Sequence, residues 1–104
     1  MKKEIEQLNK ILDEVSFDIR SLESNLNSVP FDIEYPIDDD HDLKWSLHNR
    51  RLILITREGT SISSKPFIEC RATERIKYHK ILKSFEEFTS SRIKEFIQQF
   101  NKKH

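Results

Sequence analysis

The chain has 104 residues, the size of one small domain, and its 18 basic side chains balance its 18 acidic ones. That balance conceals a division. Residues 1–43 carry 4 basic and 12 acidic side chains, a net of −8, while residues 44–104 carry 14 and 6, a net of +8. Leu, Ile, Val and Phe together number 31, enough apolar surface for a core, though 35% charged residues make it an economical one. No apolar run approaches the roughly 20 residues of a membrane span. No secretory leader stretch follows Met1-Lys2-Lys3. The lone Cys70 cannot form an internal disulfide, so a cytoplasmic location is expected. The single glycine, Gly59, excludes phosphate-cradling and dinucleotide-binding loops and the nucleophile elbow of hydrolases.

In chain order, the first predicted element is a helix over residues 3–28. Its apolar residues Ile5, Leu8, Leu12, Val15, Ile19, Leu22, Leu26 and Val29 fall at alternating steps of three and four, an unbroken heptad seam. Pro30 disfavours helix at Val29 and ends the run. So narrow a stripe suits a helix-on-helix contact, either inside the domain or between chains, and Leu8, Leu12, Val15, Ile19 and Leu22 form a candidate helix interface. Flanking Glu4, Asn9, Ser16, Asp18 and Glu23 lack the alternating charges of a homodimeric zipper. Phe17 lies off the seam.

Residues 30–42, rich in Pro and Asp, read as an extended connector lying along an edge. Leu43, Trp45 and Leu47 alternate with polar residues as in a half-buried strand, and Asn49-Arg50 supplies a turn. Arg51 to Thr56 is apolar on both faces, as expected of a central strand covered on two sides. Gly59 marks the next turn, and a third strand falls within residues 61–70 with Pro66 near its middle. A sheet over residues 43–70 is therefore predicted. The remainder lacks Gly and Pro and carries helical apolar spacing from Ile76 to Phe100, predicting a helix over 72–101 with a kink or break at Thr89-Ser90-Ser91. The fold class is thus α+β, one small domain over 1–104: N-terminal helix, three-stranded antiparallel meander, long C-terminal helix.

Chemistry-bearing clusters are few. Asp38, Asp39, Asp40 and Asp42 offer oxygen ligands to a hard cation but lack the alternate ligands, sixth-position glycine and twelfth-position glutamate of a calcium loop. They read as a solvated acidic contact surface, with His41 a surface histidine. Arg71, Arg75, His79 and Lys83 recur every four residues, and on a continuous helix they form a basic ridge. Lys77 and Lys80 flank it, and Tyr78 and His79 supply rings able to stack on bases. The helix–strands–helix order also matches the start of metal-dependent nucleases. Glu69-Cys70-Arg71 would stand in the place of an acid-x-lysine motif, with Glu58 or Asp42 as the earlier acid and Glu6 or Glu14 on the first helix. Arginine there cannot accept a proton from water, and no closing strand follows. His48 has no neighbouring nucleophile, and Cys70 reads as a small buried residue.

These features lead to the expectation of a non-catalytic accessory protein, an adaptor or inhibitor that binds another protein or a second copy through its helix seam and charged surfaces. No cofactor, metal site or small-molecule substrate is expected, nor a membrane partner. Nucleic-acid binding through Arg71–Lys83 is the alternative and a nuclease-like activity the remote one. The short, glycine-poor, Lys- and Ile-rich make-up suits a phage or mobile-element accessory protein.

Overall fold

The computed structural model describes residues 1–103, with side chains described as far as Lys102. With no Gly or Pro to interrupt it, the first helix, α1, runs from Lys2 to Leu26. Four strands follow: β1 (Ile33–Pro36), β2 (His41–Ser46), β3 (Arg51–Glu58) and β4 (Ser61–Pro66). A single 3-10 turn over Phe67–Glu69 leads into α2 (Ala72–Tyr78) and then α3 (Ile81–Lys103). All strand pairs are antiparallel in the order β1-β2-β3-β4.

The architecture is α+β, as the sequence pattern predicts, with three corrections to its elements. The sheet has four strands rather than three, because the connector after α1 itself pairs along the edge of β2. Pro36 closes that strand at its last position, where a missing N–H does no harm to an edge. The third predicted strand ends at Pro66, so this proline terminates β4 instead of interrupting it. The C-terminal helix is broken at His79-Lys80, not at Thr89–Ser91. There the amide of His79 bonds the carbonyl of Ile76 at 3.3 Å and the amide of Leu82 bonds that of His79 at 3.1 Å. These tighter bonds redirect the chain, so that Tyr78 before the break and Leu82 and Phe85 after it all reach the core. Thr89 sits buried within an unbroken α3.

Alternation along the strands builds the core. Ile33, Trp45 and Leu52 stand in register across three strands, as do Tyr35, Leu43 and Leu54. Against this face pack Val15, Ile19, Leu22 and Leu26 of α1, together with Phe67, Cys70, Tyr78, Leu82 and Phe85. Glu23 of α1 accepts a hydrogen bond from the amide of Leu52 at 2.8 Å and ties the helix to the sheet. The apolar residues on the other face of β3 are not covered by a second layer, contrary to the expectation from sequence. Ile53 and Ile55 remain only half-buried there. Their neighbours are Lys44, ion-paired with Asp32 and Glu34, and the Arg57–Asp42 pair. Apolarity on both sides of β3 is thus met by long side chains lying over the outer face.

Two contacts set the relation between α1 and α3. Asp18 meets His79, just before α3 begins, at 2.7 Å. Phe31, five residues beyond the end of α1, meets Phe96 with ring centroids 5.5 Å apart. The helices therefore run in the same direction but are staggered by about half their length. At about 1.5 Å per residue, α1 starts about 25 Å behind the Asp18 level and α3 ends about 35 Å ahead of it. That stagger accounts for a long axis of 62 Å against 33 and 21 Å for the other two.

Candidate interaction surfaces

The stagger divides the heptad seam of α1 into two parts. Val15, Ile19, Leu22 and Leu26 are buried. Ile5, Leu8 and Ile11 are 50%, 47% and 47% exposed, and Leu12 is half-buried at the boundary. Every residue before Leu12 is exposed. At the opposite end of the molecule α3 overhangs in the same way: Ile93 packs on the core, while Phe96, Ile97 and Phe100 are each half exposed or more. Two apolar helix ends thus point away from the body in opposite directions. Phe17, 69% exposed, lies off the seam.

Of the candidate helix interface, the structure therefore places Val15, Ile19 and Leu22 in the core and leaves Leu8 about half exposed and Leu12 partly so. Sequence periodicity cannot see this division, because heptad spacing is the same on both sides of Leu12. The overhang of α3 is signalled in sequence only by the late aromatic residues Phe96 and Phe100.

The basic ridge is not continuous. Arg71 precedes α2 as its N-cap and pairs with Glu74 at 3.2 Å. Arg75 donates to the carbonyl of Ile68 at 3.0 Å. His79 faces Asp18, and Tyr78 is buried with its ring 5.2 Å from that of His41. Lys77 lies 5.3 Å from the centre of the Tyr78 ring. Lys80 and Lys83 are exposed beside an open groove of about 520 Å³ between α1 and the α2–α3 junction, whose lining includes Asp18, Asn25 and Glu86. The turn at His79-Lys80 separates Arg71 and Arg75 from Lys83, so the even spacing in sequence does not become one helical face. Tyr78, engaged in the core, is withdrawn from base stacking.

The acidic segment is a tight turn. Asp38 Oδ1 accepts from the amide of Asp40 at 2.8 Å and meets His41 Nδ1 at 2.9 Å. The His41 hydrogen bond first, and the Asp40 amide second, hold the Asp38 carboxyl below the ordinary aspartate value. The expected surface histidine is in fact largely covered, its ring against Tyr78. Asp42 turns to Arg57 and leaves Asp39 and Asp40 exposed to solvent.

The residues weighed for metal-dependent cleavage are not brought together. Glu69 pairs with Arg51, Asp42 with Arg57, and Glu58 at the end of β3 and Glu6 and Glu14 on α1 are solvent-exposed. Among the described residues no three His, Cys, Asp or Glu side chains are grouped to hold a metal ion. His48 is exposed in the β2–β3 turn. Cys70 is buried, its Sγ 3.5 Å from the carbonyl oxygen of Pro66, and burial pushes its thiol pKa up, away from the thiolate a nucleophile needs. Among the described residues no helix is long and apolar enough to cross a membrane.

Comparison of the chain with protein-family models, curated proteins and solved structures yields no match.

Proposed function

We propose that this is a non-catalytic protein-binding adaptor whose working surfaces are the two overhanging helix ends. A single observation carries the reading: Ile5, Leu8 and Ile11 at one end, and Phe96, Ile97 and Phe100 at the other, leave about half of each side chain in water on helices otherwise well packed. Apolar residues clustered on one helix face and half exposed are characteristic of surfaces that dock into grooves or onto other helices. Their separation along the long axis suits a bridging role, one contact at each end. The charge division supports a polar rim around these contacts rather than a polyanion site. Its opposite signs already meet inside the fold, at Asp42–Arg57 and Asp32–Lys44.

The test is site-specific photo-crosslinking from positions 8 and 97 in cells producing the chain, followed by reconstitution with the purified partner. Binding should be stoichiometric and should fall at least about tenfold on Leu8→Asp or Phe96→Asp, with helix content unchanged. Absence of a specific adduct from both positions overturns the reading.

A further inference from the structure

We infer that β4 is a self-association edge: a second copy of this chain lays its own β4 antiparallel beside it, about a two-fold axis at Ser63. The two four-stranded sheets then join into one continuous sheet. The inference is independent of the helix ends proposed above as binding surfaces.

The two edges of the sheet are built differently. β1 has four residues, ends on Pro36, and is held against α3 by Tyr35, whose ring lies 5.3 Å from that of Phe88. Such an edge is blunted. β4 runs six residues, pairs only with β3 and is exposed from Ser61 to Lys65, Ile62 being 70% exposed. The groove beneath it, reaching Cys70, Arg71 and Glu74, is open. The two-residue turn Gly59-Thr60 makes Glu58 and Ser61 a hydrogen-bonded pair, so Ser61, Ser63 and Lys65 bond to β3. Ile62 and Ser64 therefore turn their N–H and C=O groups outward, as a template for another strand.

Backbone and charge both select a second copy and its register. With Ser63 facing Ser63 of the copy, Ile62 of each chain exchanges two hydrogen bonds with Ser64 of the other. An axis at Ile62 would set Ser64 against Thr60 in the turn, and an axis at Ser64 would set Ile62 against Pro66, which has no N–H. The Ser63 register also places Lys65 beside Ser61 of the copy, whose neighbour on β3 is Glu58. Among the described residues Glu58 and Lys65 are exposed and without an ion-pair partner, whereas nearby Arg57, Arg51 and Arg71 are already paired. Their Cα atoms stand two strand spacings, about 10 Å, apart on one face, so the long side chains meet over the small Ser61, once on each side of the axis. On the other face the two Ile62 side chains become diagonal neighbours. The contact is isologous and closes at two copies. Six-residue edges bury less than the roughly 800 Å² per partner of a standard interface, so the dimer dissociates in the micromolar range or above.

Sedimentation of the full chain from about 1 to about 500 μM reads the equilibrium. The wild type should shift from monomer to dimer. Ser64→Pro removes an outward N–H without touching the β3 ladder and should weaken the shift at least about tenfold. Lys65→Glu, a change at an exposed side chain, should weaken it at least about fivefold, and adding Glu58→Lys should restore it. Mild oxidation of a Ser63→Cys variant, with buried Cys70 replaced by Ser, should link it to itself, because facing residues of a non-hydrogen-bonded pair lie about 4.5 Å apart. A Ser61→Cys variant on the same background, far from its own copy, should not link. Four results overturn the proposal: a monomer across the range, a dimer indifferent to both Ser64→Pro and Lys65→Glu, linkage of Ser61→Cys as readily as Ser63→Cys, or a dimer lost only on Leu8→Asp. The last would move the contact to the end of α1; a monomer whose helix ends still crosslink to another protein removes self-association and leaves the adaptor reading standing.

Discussion

The inner and outer halves of α1 share one apolar repeat and have opposite fates. Ile19 and Leu22 stand in the core beside Leu52, Phe67 and Tyr78; Ile5 and Leu8, on the same stripe, stand in water. Only the stagger against α3 separates them. Helical periodicity therefore marks an apolar face, and the placement of the body decides which part of it is buried. An identical Leu on an identical stripe contributes to folding at one end and remains available for association at the other.

The largest test of this contrast is truncation along the seam. Leu22→Ala should destabilise the fold by about 2–5 kcal/mol, because it removes buried methyl groups from a site that cannot collapse fully. Leu8→Ala should change stability by less than about 0.5 kcal/mol at low protein concentration. Urea unfolding of the two variants measures both, and equal effects would mean that the outer half is covered within the monomer. A second test concerns α3, where the buried Thr89 hydroxyl has no hydrogen-bond partner in an unbroken helix. Thr89→Val should raise stability by about 1 kcal/mol through removal of an unsatisfied buried group, and a loss of that size would contradict its placement.

Smaller effects probe the joints. Gly59 turns at φ 59° with open space around its Cα, so Gly59→Ala should cost about 1 kcal/mol from backbone strain alone. The Asp18–His79 pair fixes the stagger but is partly exposed on both sides, so Asp18→Asn should cost less than about 1 kcal/mol, read by thermal melting. The smallest effect is a pH dependence. Asp38 has a lowered folded-state pKa, so its contribution is present above the ordinary aspartate value and is lost as the pH falls through the folded-state value. Asp38→Asn should flatten stability against pH in that acidic window and lower stability slightly at neutral pH, where the wild-type contribution is fully present, as equilibrium unfolding across pH will show.

Much of the element order is legible in the residues themselves. Heptad spacing and Pro30 bound α1, Gly59 places the β3–β4 turn, and alternation at Leu43 and Trp45 identifies core-facing positions of β2. The edge strand Ile33–Pro36 was obscured by its prolines, which disfavour a strand in general but not at the margin of a sheet. The helix break at His79-Lys80 has no Gly or Pro to announce it.

The interaction surfaces were legible as residue types and not as places. The Arg71–Lys83 spacing predicts one basic face only if the helix is continuous, and a two-residue turn removes that condition. By itself, then, the sequence determined which stripes are apolar and where the charges lie, because periodicity and side-chain chemistry are local properties. Tertiary structure alone decided which half of a stripe is core, which cations are already paired and where the two helix ends project. Those outcomes depend on the relative stagger of α1 and α3, set by contacts such as Asp18–His79 and Phe31–Phe96 between residues about 60 positions apart in the chain.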